Sequence, residues 1–203
     1  MIRISRLSSK DLCHFQTRYL DLSGLSIPPG YLRGQTVYGF FRRGQMIGGF
    51  ILGKEQPLRT TEVFCSPDSR DRLNRSLESK GRVLEICCFW IERSFRKIPW
   101  INAWCWLRMA WAASMERSFD ILLFGTNSSG LAKMYGYPKN AFLLHSDQIG
   151  GRDTYIFYAK RTHFLAGVFE IVLAKVFRKT RGFRSSTDRG LTAKLQTMKE
   201  MCF

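Results

Sequence analysis

One stretch limits the folds open to this chain: residues 83–137. Val83–Phe95 is dominated by apolar and bulky residues and reads as a strand, and the tryptophan-rich segment Trp100–Arg117 reads as a helix. Asp120–Phe124 is a second, short apolar strand, and a Gly125-Thr126-Asn127 turn leads into a second helix, Ser128–Tyr135. Two strands joined by a helix cannot close as a hairpin. They need a crossover, which is right-handed within one sheet. The chain must therefore build an α/β domain containing parallel or mixed pairing.

The flanks extend that unit. Ile2–Leu7 alternates and predicts a short strand; Ser8 and Asp11 stand at capping-box spacing, and Leu12, Phe15, Tyr19 and Leu22 mark one face of a helix. His14, beside that stripe, reads as a surface residue. Ser23–Gly34 is turn chemistry, the kind of loop that lines a substrate entrance. Thr36–Arg42 and Gln45–Leu52 around Arg43-Gly44 predict a hairpin, with Gly48-Gly49 marking a bulge or a close approach. Pro57–Gly81 predicts one surface helix starting at Ser66-Pro67-Asp68. Ala141–His145 and Thr154–Ala159 are two more strands around a Gly150-Gly151 turn. The order β-α-β-β-α-β-α-β-α-β-β-α describes one α/β domain of mixed sheet over residues 1–160. Residues 161–203 form a basic helical extension, apolar nearly all round at Phe164–Phe177 and then basic at Arg178, Lys179, Arg181 and Arg184.

Charge narrows the partners. The 203 residues carry 32 Lys+Arg against 16 Asp+Glu, a net charge of +16, and residues 160–203 hold about +7 of it. Such an excess favours anionic partners: nucleic acid, an acidic protein, a phosphorylated cofactor or an anionic membrane. Apolar windows are broken by Arg108, or by Glu170 and Lys175, so no run of about 20 apolar residues predicts a spanning helix. The start of the chain lacks a signal-peptide layout. Six cysteines form no CxxC pair and have no His at metal-ligand spacing, so buried thiols in a reducing, cytoplasmic setting are expected, with no metal site. Cys87 and Cys88, adjacent in a strand, should point to opposite faces.

The order of elements resembles the GCN5-related N-acetyltransferase (GNAT) superfamily. Ile2-Arg3 followed by Asp11-Leu12 is similar to its first strand and helix; Met46-Ile47-Gly48-Gly49 resembles its "vGg" hairpin strand; Asn127 through Leu131-Ala132-Lys133-Met134-Tyr135 to Gly136-Tyr137 resembles its last helix. The family's phosphate loop, roughly R/Q-x-x-G-x-G/A, is degenerate here: Arg96 matches the basic position, but Pro99 and Ile101 stand where glycines belong. Proline has no N–H to offer a pyrophosphate. The resemblance then implies that Arg93, Arg96 and Lys97 hold the phosphates, or that the donor is not free coenzyme A. Leu84–Ile91 is similar to the fourth strand of the fatty-acyl-transferring branches, the acyl-homoserine-lactone synthases and N-acyl amino acid synthases, with Cys88 in place of an Arg. The GNAT-type maturases of ribosomal lipopeptides tolerate a similar loop.

What the resemblance implies is an N-acyltransferase. It would move an acyl group, fatty acyl rather than acetyl, from a coenzyme A or acyl-carrier-protein thioester to an amine of an amino acid or of a Lys/ornithine-like peptide side chain. An acidic carrier protein would suit the basic chain. Such chemistry needs a base, an acid for the leaving thiol and donors to an oxyanion. Glu85, a carboxylate between Leu84 and Ile86, is uncomfortable in a core unless paired and is the candidate general base, directly or through water; Glu92 and His145 rank below it. Tyr135 is the candidate general acid. Phe89, Trp90 and Ile91 would line the pantetheine arm, with Asn127 opening the helix beside it. Trp100, Trp104, Leu107 and Trp111 share a helix stripe read chiefly as core, part of which, with Phe40, Phe41 and Phe50, would line an acyl tunnel. The reading of a different class is a non-catalytic basic module that binds nucleic acid or anionic membrane. If the enzyme reading holds, no nucleic acid is expected, and the remaining partner is a peripheral membrane contact through the C-terminal extension.

Overall fold

A computed structural model describes residues 2–28, 30–54, 56–136 and 141–178, with side chains through Leu173. The strands are β1 (Ile2–Arg6), β2 (Thr36–Arg42), β3 (Gln45–Gly53), β4 (Val83–Ile91), β5 (Ile121–Thr126), β6 (Ala141–Ile149) and β7 (Arg152–Lys160). The helices are α1 (Ser9–Ser23), α2 (Arg59–Phe64), α3 (Pro67–Glu78), α4 (Arg93–Arg96), α5 (Pro99–Met115), α6 (Ser129–Tyr135) and α7 (Arg161–Arg178). All seven strands form one sheet in the order β1-β2-β3-β4-β5-β7-β6. Among the described residues only β4 and β5 pair in parallel, joined by the crossover helix α5. The mixed sheet flanked by helices is the fold class that the sequence predicts.

Local chemistry accounts for the elements. Ser8 donates to the Asp11 carboxylate from both its hydroxyl and its N–H, closing the start of α1. Arg43 (φ 50°) and Gly44 (φ 81°) make the β2–β3 turn left-handed at both centres, as a tight hairpin requires. Gly48 and Gly49 lie in close approach: a side chain at Gly49 would run into the Tyr38 carbonyl and the Phe15 ring.

Helices cover both faces. On one, α5, α6 and α7 pack on Phe50, Leu84, Ile86, Leu122, Phe124 and Phe157. On the other, α1 contributes Phe15 and Tyr19 against Ile51, Cys88 and Trp90, while α3 buries Leu73 and Leu77 against Ile121, Leu123 and Ile156. The first half of α7 joins the main core through Phe164, Val168 and Val172. The basic run beyond Arg178, and Tyr137, lie outside the described residues.

Five local expectations are corrected. The fourth strand ends at Ile91, not Phe95, because residues 93–96 close a single helical turn, α4. The segment 57–81 holds two helices; α2, short and mostly polar, carries no apolar stripe to announce it. The tryptophan stripe of α5 is core only in part: Trp104 and Leu107 pack against the core, but Trp100 is 57% and Trp111 52% exposed. The helix instead buries Ile101, Cys105, Met109, Ala110 and Ala113, whose smaller side chains let it sit close to the sheet and α7. Phe40 and Phe50 are fully buried core residues away from the cavity described below. Finally, Cys87 and Cys88 face the same side, because of a bulge.

Candidate functional site

The bulge organises the site. Gly49 pairs with Trp90 and Ile51 with Cys87, so β4 spends Cys88 and Phe89 against Phe50 alone. Cys88 takes a left-handed backbone (φ 51°), which a non-glycine residue adopts only when its surroundings hold it there. Side chains normally alternate; the extra residue puts both thiols on the α1 side and returns Phe89 to the α5 side. Beyond the bulge the parallel ladder fails. β4 and β5 pair only at Val83–Ile121, Leu84–Leu122 and Glu85–Leu123, and the strands splay.

A cavity of about 430 Å³ fills the splay. Ile86–Ile91 of β4 form one side and Phe124–Asn127 the other, so the space passes between the two faces of the sheet. Its volume falls in the range of pockets that enclose a drug-sized ligand, about 300–1,000 Å³.

The wall on the α1–α2 face is polar. Arg59, only 5% exposed, donates to the Ser26 carbonyl and lies 6.0 Å from the Tyr31 ring centroid. Burial works against its charge, but Cys88, Tyr19 and Cys87 outweigh burial and hold the guanidinium protonated. No carboxylate forms an ion pair with it among the described residues. Beside it, burial pushes the Cys88 thiol up, while hydrogen bonds with Cys87 and Tyr19 and the charge of Arg59 together bring it below its ordinary value. The hydroxyl of Thr60, on the same wall, is buried and unpartnered.

Glu85 stands behind that wall. It is fully buried and does not line the cavity. Its Oε1 accepts the Arg59 backbone N–H at 3.1 Å and the Tyr31 hydroxyl, and its Oε2 accepts the Thr60 N–H. The carboxylate thus caps α2, satisfying amides left orphaned at a helix start and lying where the helix dipole favours an anion. A Cβ on Gly53 would sit 2.8 Å from Glu85 Oε1, so glycine is needed for this approach. Direct contact between Glu85 and a substrate in the cavity is therefore corrected; what connects them is a chain in which the Tyr31 hydroxyl also lies 3.2 Å from Cys87 Sγ, and Cys87 lines the cavity.

The α5–α7 wall is mainly aromatic and aliphatic, with Trp106, Met109, Phe124, Phe164, Val168 and Ile171, and Asn102 and His163 also line it. Tyr135 is set in it, with ring centroids of Phe124, Phe157 and Trp106 at 5.0, 5.7 and 5.9 Å. Burial pushes the Tyr135 hydroxyl well above its ordinary range, and it has no hydrogen-bond partner among the described residues.

Of the sequence candidates, the cavity gathers Phe89, Trp90, Ile91, Arg96, Asn127 and Tyr135. Arg96 donates to the Ile91 carbonyl at 2.6 Å. Arg93 and Lys97 are exposed on the α4 segment and do not line it. Glu92 pairs with Arg18, and His145 lies on β6, outside the cavity. Arg59, Cys88, Tyr19 and Trp106 were not among the sequence candidates for the site. The one available signal was Arg59 itself, a charge following the apolar Leu58 and preceding a turn of helix.

No protein-family model matches the sequence, and no curated protein matches it significantly. Solved structures do. The chain is similar to FeeM, an N-acyl amino acid synthase from uncultured soil microbes, at TM-score 0.58 and 13% identity over 81% of this chain and 94% of that one. It is similar to the AHL synthase LasI at TM-score 0.55 and 15% identity, covering 82% of this chain and 94% of that one. It is also similar to an N-acetyltransferase from Staphylococcus aureus Mu50 at TM-score 0.52 and 14% identity, covering 80% of this chain and 99% of that one. What is shared at such identities is the architecture, and this chain has the fold of the GCN5-related N-acetyltransferase superfamily.

Proposed function

We propose that the protein is an N-acyltransferase that joins a fatty acyl group, delivered as a coenzyme A or acyl-carrier-protein thioester, to the amine of an amino acid. The observation that carries this reading is the gap between β4 and β5, which opens at the Cys88 bulge and runs into a cavity with one mainly apolar wall, far larger than an acetyl group needs. The acyl chain lies against Trp106, Phe164, Val168 and Ile171. Its thioester carbonyl lies along Phe89–Ile91, where backbone amides freed by the bulge stabilise the oxyanion. Arg96 at the cavity, with Arg93 and Lys97 beside it, meets the anionic part of the donor, phosphate or carrier protein.

The acceptor comes from the polar wall. A buried guanidinium with no carboxylate partner is costly unless an anion joins it, and the carboxylate of a free amino acid is the anion that would place an amine near the bulge. The amine nitrogen attacks the thioester carbonyl; the C–N bond forms, the C–S bond breaks, and the leaving thiolate takes a proton from Tyr135. The proton lost by the amine passes through Cys87 and Tyr31 to Glu85, which makes Glu85 the base at one remove.

The test is incubation of the protein with acetyl and long-chain thioesters and with free amino acids or their carboxamides, reading thiol release and product mass. Long-chain N-acyl amino acids are the expected products. Acetylation alone, or equal use of carboxamides, overturns the reading of donor or acceptor respectively.

A second reading, contact with an anionic membrane surface, is favoured by one observation: Trp100, Trp111, Met115 and Phe169 are each more than half exposed on α5 and α7, on a chain of net charge +16. No helix among the described residues is long and apolar enough to cross a membrane, so this contact would be peripheral. Co-sedimentation with anionic but not zwitterionic vesicles is expected, and Trp100→Ser with Trp111→Ser should weaken it. Binding unaffected by those changes, or competed away by nucleic acid, would sink this reading.

A further inference from the structure

A second cluster of reactive side chains lies outside the cavity, at the far end of α2. Cys65 closes that helix, and His145 and Asp147 stand two apart on β6. One ligand atom from each, sulfur, ring nitrogen and carboxylate oxygen, lies within 4.8 Å of the other two. We propose that Cys65, His145 and Asp147 bind a single zinc-like divalent cation that staples the C-terminal end of α2 to the β6–β7 hairpin.

The spacing suits shared coordination better than a direct bond. His145 Nε2 lies 3.6 Å from Asp147 Oδ2, too far for a hydrogen bond, and it is buried with no hydrogen-bond partner. Ligand bonds of about 2.0–2.3 Å at the tetrahedral angle place neighbouring ligand atoms roughly 3.3–3.6 Å apart. Cys65, 3% exposed, completes a face of such a tetrahedron with a small inward shift, leaving the fourth position to water.

The carboxylate is already aimed. Asp147 Oδ2 accepts the Ser66 N–H at 2.9 Å and Oδ1 the Gln148 N–H at 2.8 Å, and the Thr154 hydroxyl ties the Asp147 and Phe64 carbonyls together at 3.1 Å each. Such outer hydrogen bonds orient metal ligands.

The donor set selects the ion. A thiolate and an imidazole with one carboxylate favour a borderline-soft cation over calcium or magnesium, which take oxygen. Binding expels the Cys65 proton, so thiolate and carboxylate together cancel the charge of a divalent ion. Arg70, whose guanidinium lies near Cys65, then faces a neutral cluster and not a net cation. The consequence reaches the cavity, because α2 carries Arg59, Thr60, Val63 and Phe64 of its wall.

The test uses the full chain, stripped by chelator and titrated with zinc by calorimetry and with cobalt by absorption spectroscopy. One equivalent should bind, with a thiolate-to-cobalt charge-transfer band and a higher Tm. Loss of outer-shell partners alone typically costs about 10–100-fold in affinity, so Cys65→Ser and His145→Gln should each cost at least about 100-fold. Cys87→Ser and Cys88→Ser should retain the site. His145→Gln changes a partly exposed residue and keeps the test decisive if Cys65→Ser fails to fold. Absence of binding to the parent, a cobalt spectrum without a thiolate band, or binding retained in both ligand variants overturns the proposal.

Discussion

The two walls of the cavity are built on opposite logics. The α1–α2 wall is polar and its groups are fixed by named partners: Glu85 holds the first amides of α2, Tyr31 bridges Glu85 and Cys87, and Arg59 is tied to Ser26. The α5–α7 wall carries few polar groups, Asn102, His163 and the Tyr135 hydroxyl, in a surface that is otherwise mostly rings and branched carbons. Polar groups in a low-dielectric site discriminate sharply because a mismatched ligand leaves them unpaired, whereas one methylene in an apolar pocket changes binding only modestly. The first wall is therefore suited to choosing an acceptor, and the second to holding a chain with graded tolerance for length. Variants on the first wall should act steeply and variants on the second gently.

The largest effect belongs to Glu85. Glu85→Ala strands two amides at the start of α2 and the Tyr31 hydroxyl in a buried site. At about 1–3 kcal/mol for each unsatisfied group, the loss should be at least 3 kcal/mol in urea unfolding, with acyl transfer abolished. Glu85→Gln keeps an acceptor oxygen and should unfold at intermediate denaturant. Near-parental stability in Glu85→Ala would show that the polar wall does not depend on its cap.

Next is Tyr135→Phe, which leaves the aromatic packing in place and removes only the proton donor. A positioned general acid contributes roughly 10²–10⁴-fold, so kcat should fall by at least about 100-fold with little change in unfolding. An acid must be protonated to work, and burial raises this hydroxyl above the ordinary tyrosine range. The parental rate should therefore not fall on account of Tyr135 until pH is well above 10. A kcat within threefold of the parent would remove Tyr135 from the chemistry.

Arg59→Met sharpens the contrast between walls. A charge-assisted hydrogen bond is worth about 1.5–3 kcal/mol, so KM for a free amino acid should rise roughly 10–100-fold. The response to amino acid carboxamides and to acyl chain length should be unchanged. Equal losses with acid and carboxamide would mean that Arg59 supports the Cys88 bulge and does not read the acceptor.

The sequence made the second wall harder to read than its apolarity suggests. α5 is apolar around most of its circumference, so the spacing of Trp100, Trp104, Leu107 and Trp111 could not say which side faces the sheet, and packing favoured the smaller Ile101, Cys105 and Met109. The first wall was half legible. An acidic side chain between Leu84 and Ile86 signals that something must pair with it, but the partner proved to be the start of a six-residue helix with no periodic signature. The bulge inverts alternation at a single residue, and only the register with β3 reveals it. Cys65 and His145 meet through topology, since β6 is the last strand of the sheet and no local spacing links them. The mixed sheet, by contrast, followed from element types and lengths, because two strands joined by a helix need a crossover while the flanking strand pairs read as hairpins.

The smallest effect should come from narrowing the apolar wall. Val168, on α7, is 4% exposed and lines the cavity. Val168→Phe adds a ring that has space to enter, so the cost to stability should be modest compared with overpacking a closed core. The ring would occupy the length of about two methylenes. At about 0.8 kcal/mol for each buried methylene, the preference for long over short thioesters should fall roughly tenfold or somewhat more. Use of short chains and KM for the amino acid should stay close to the parent. If chain preference is unmoved while acceptor KM rises, the two walls have exchanged roles: the acyl group would lie on the α2 side, and Arg59 would face the donor.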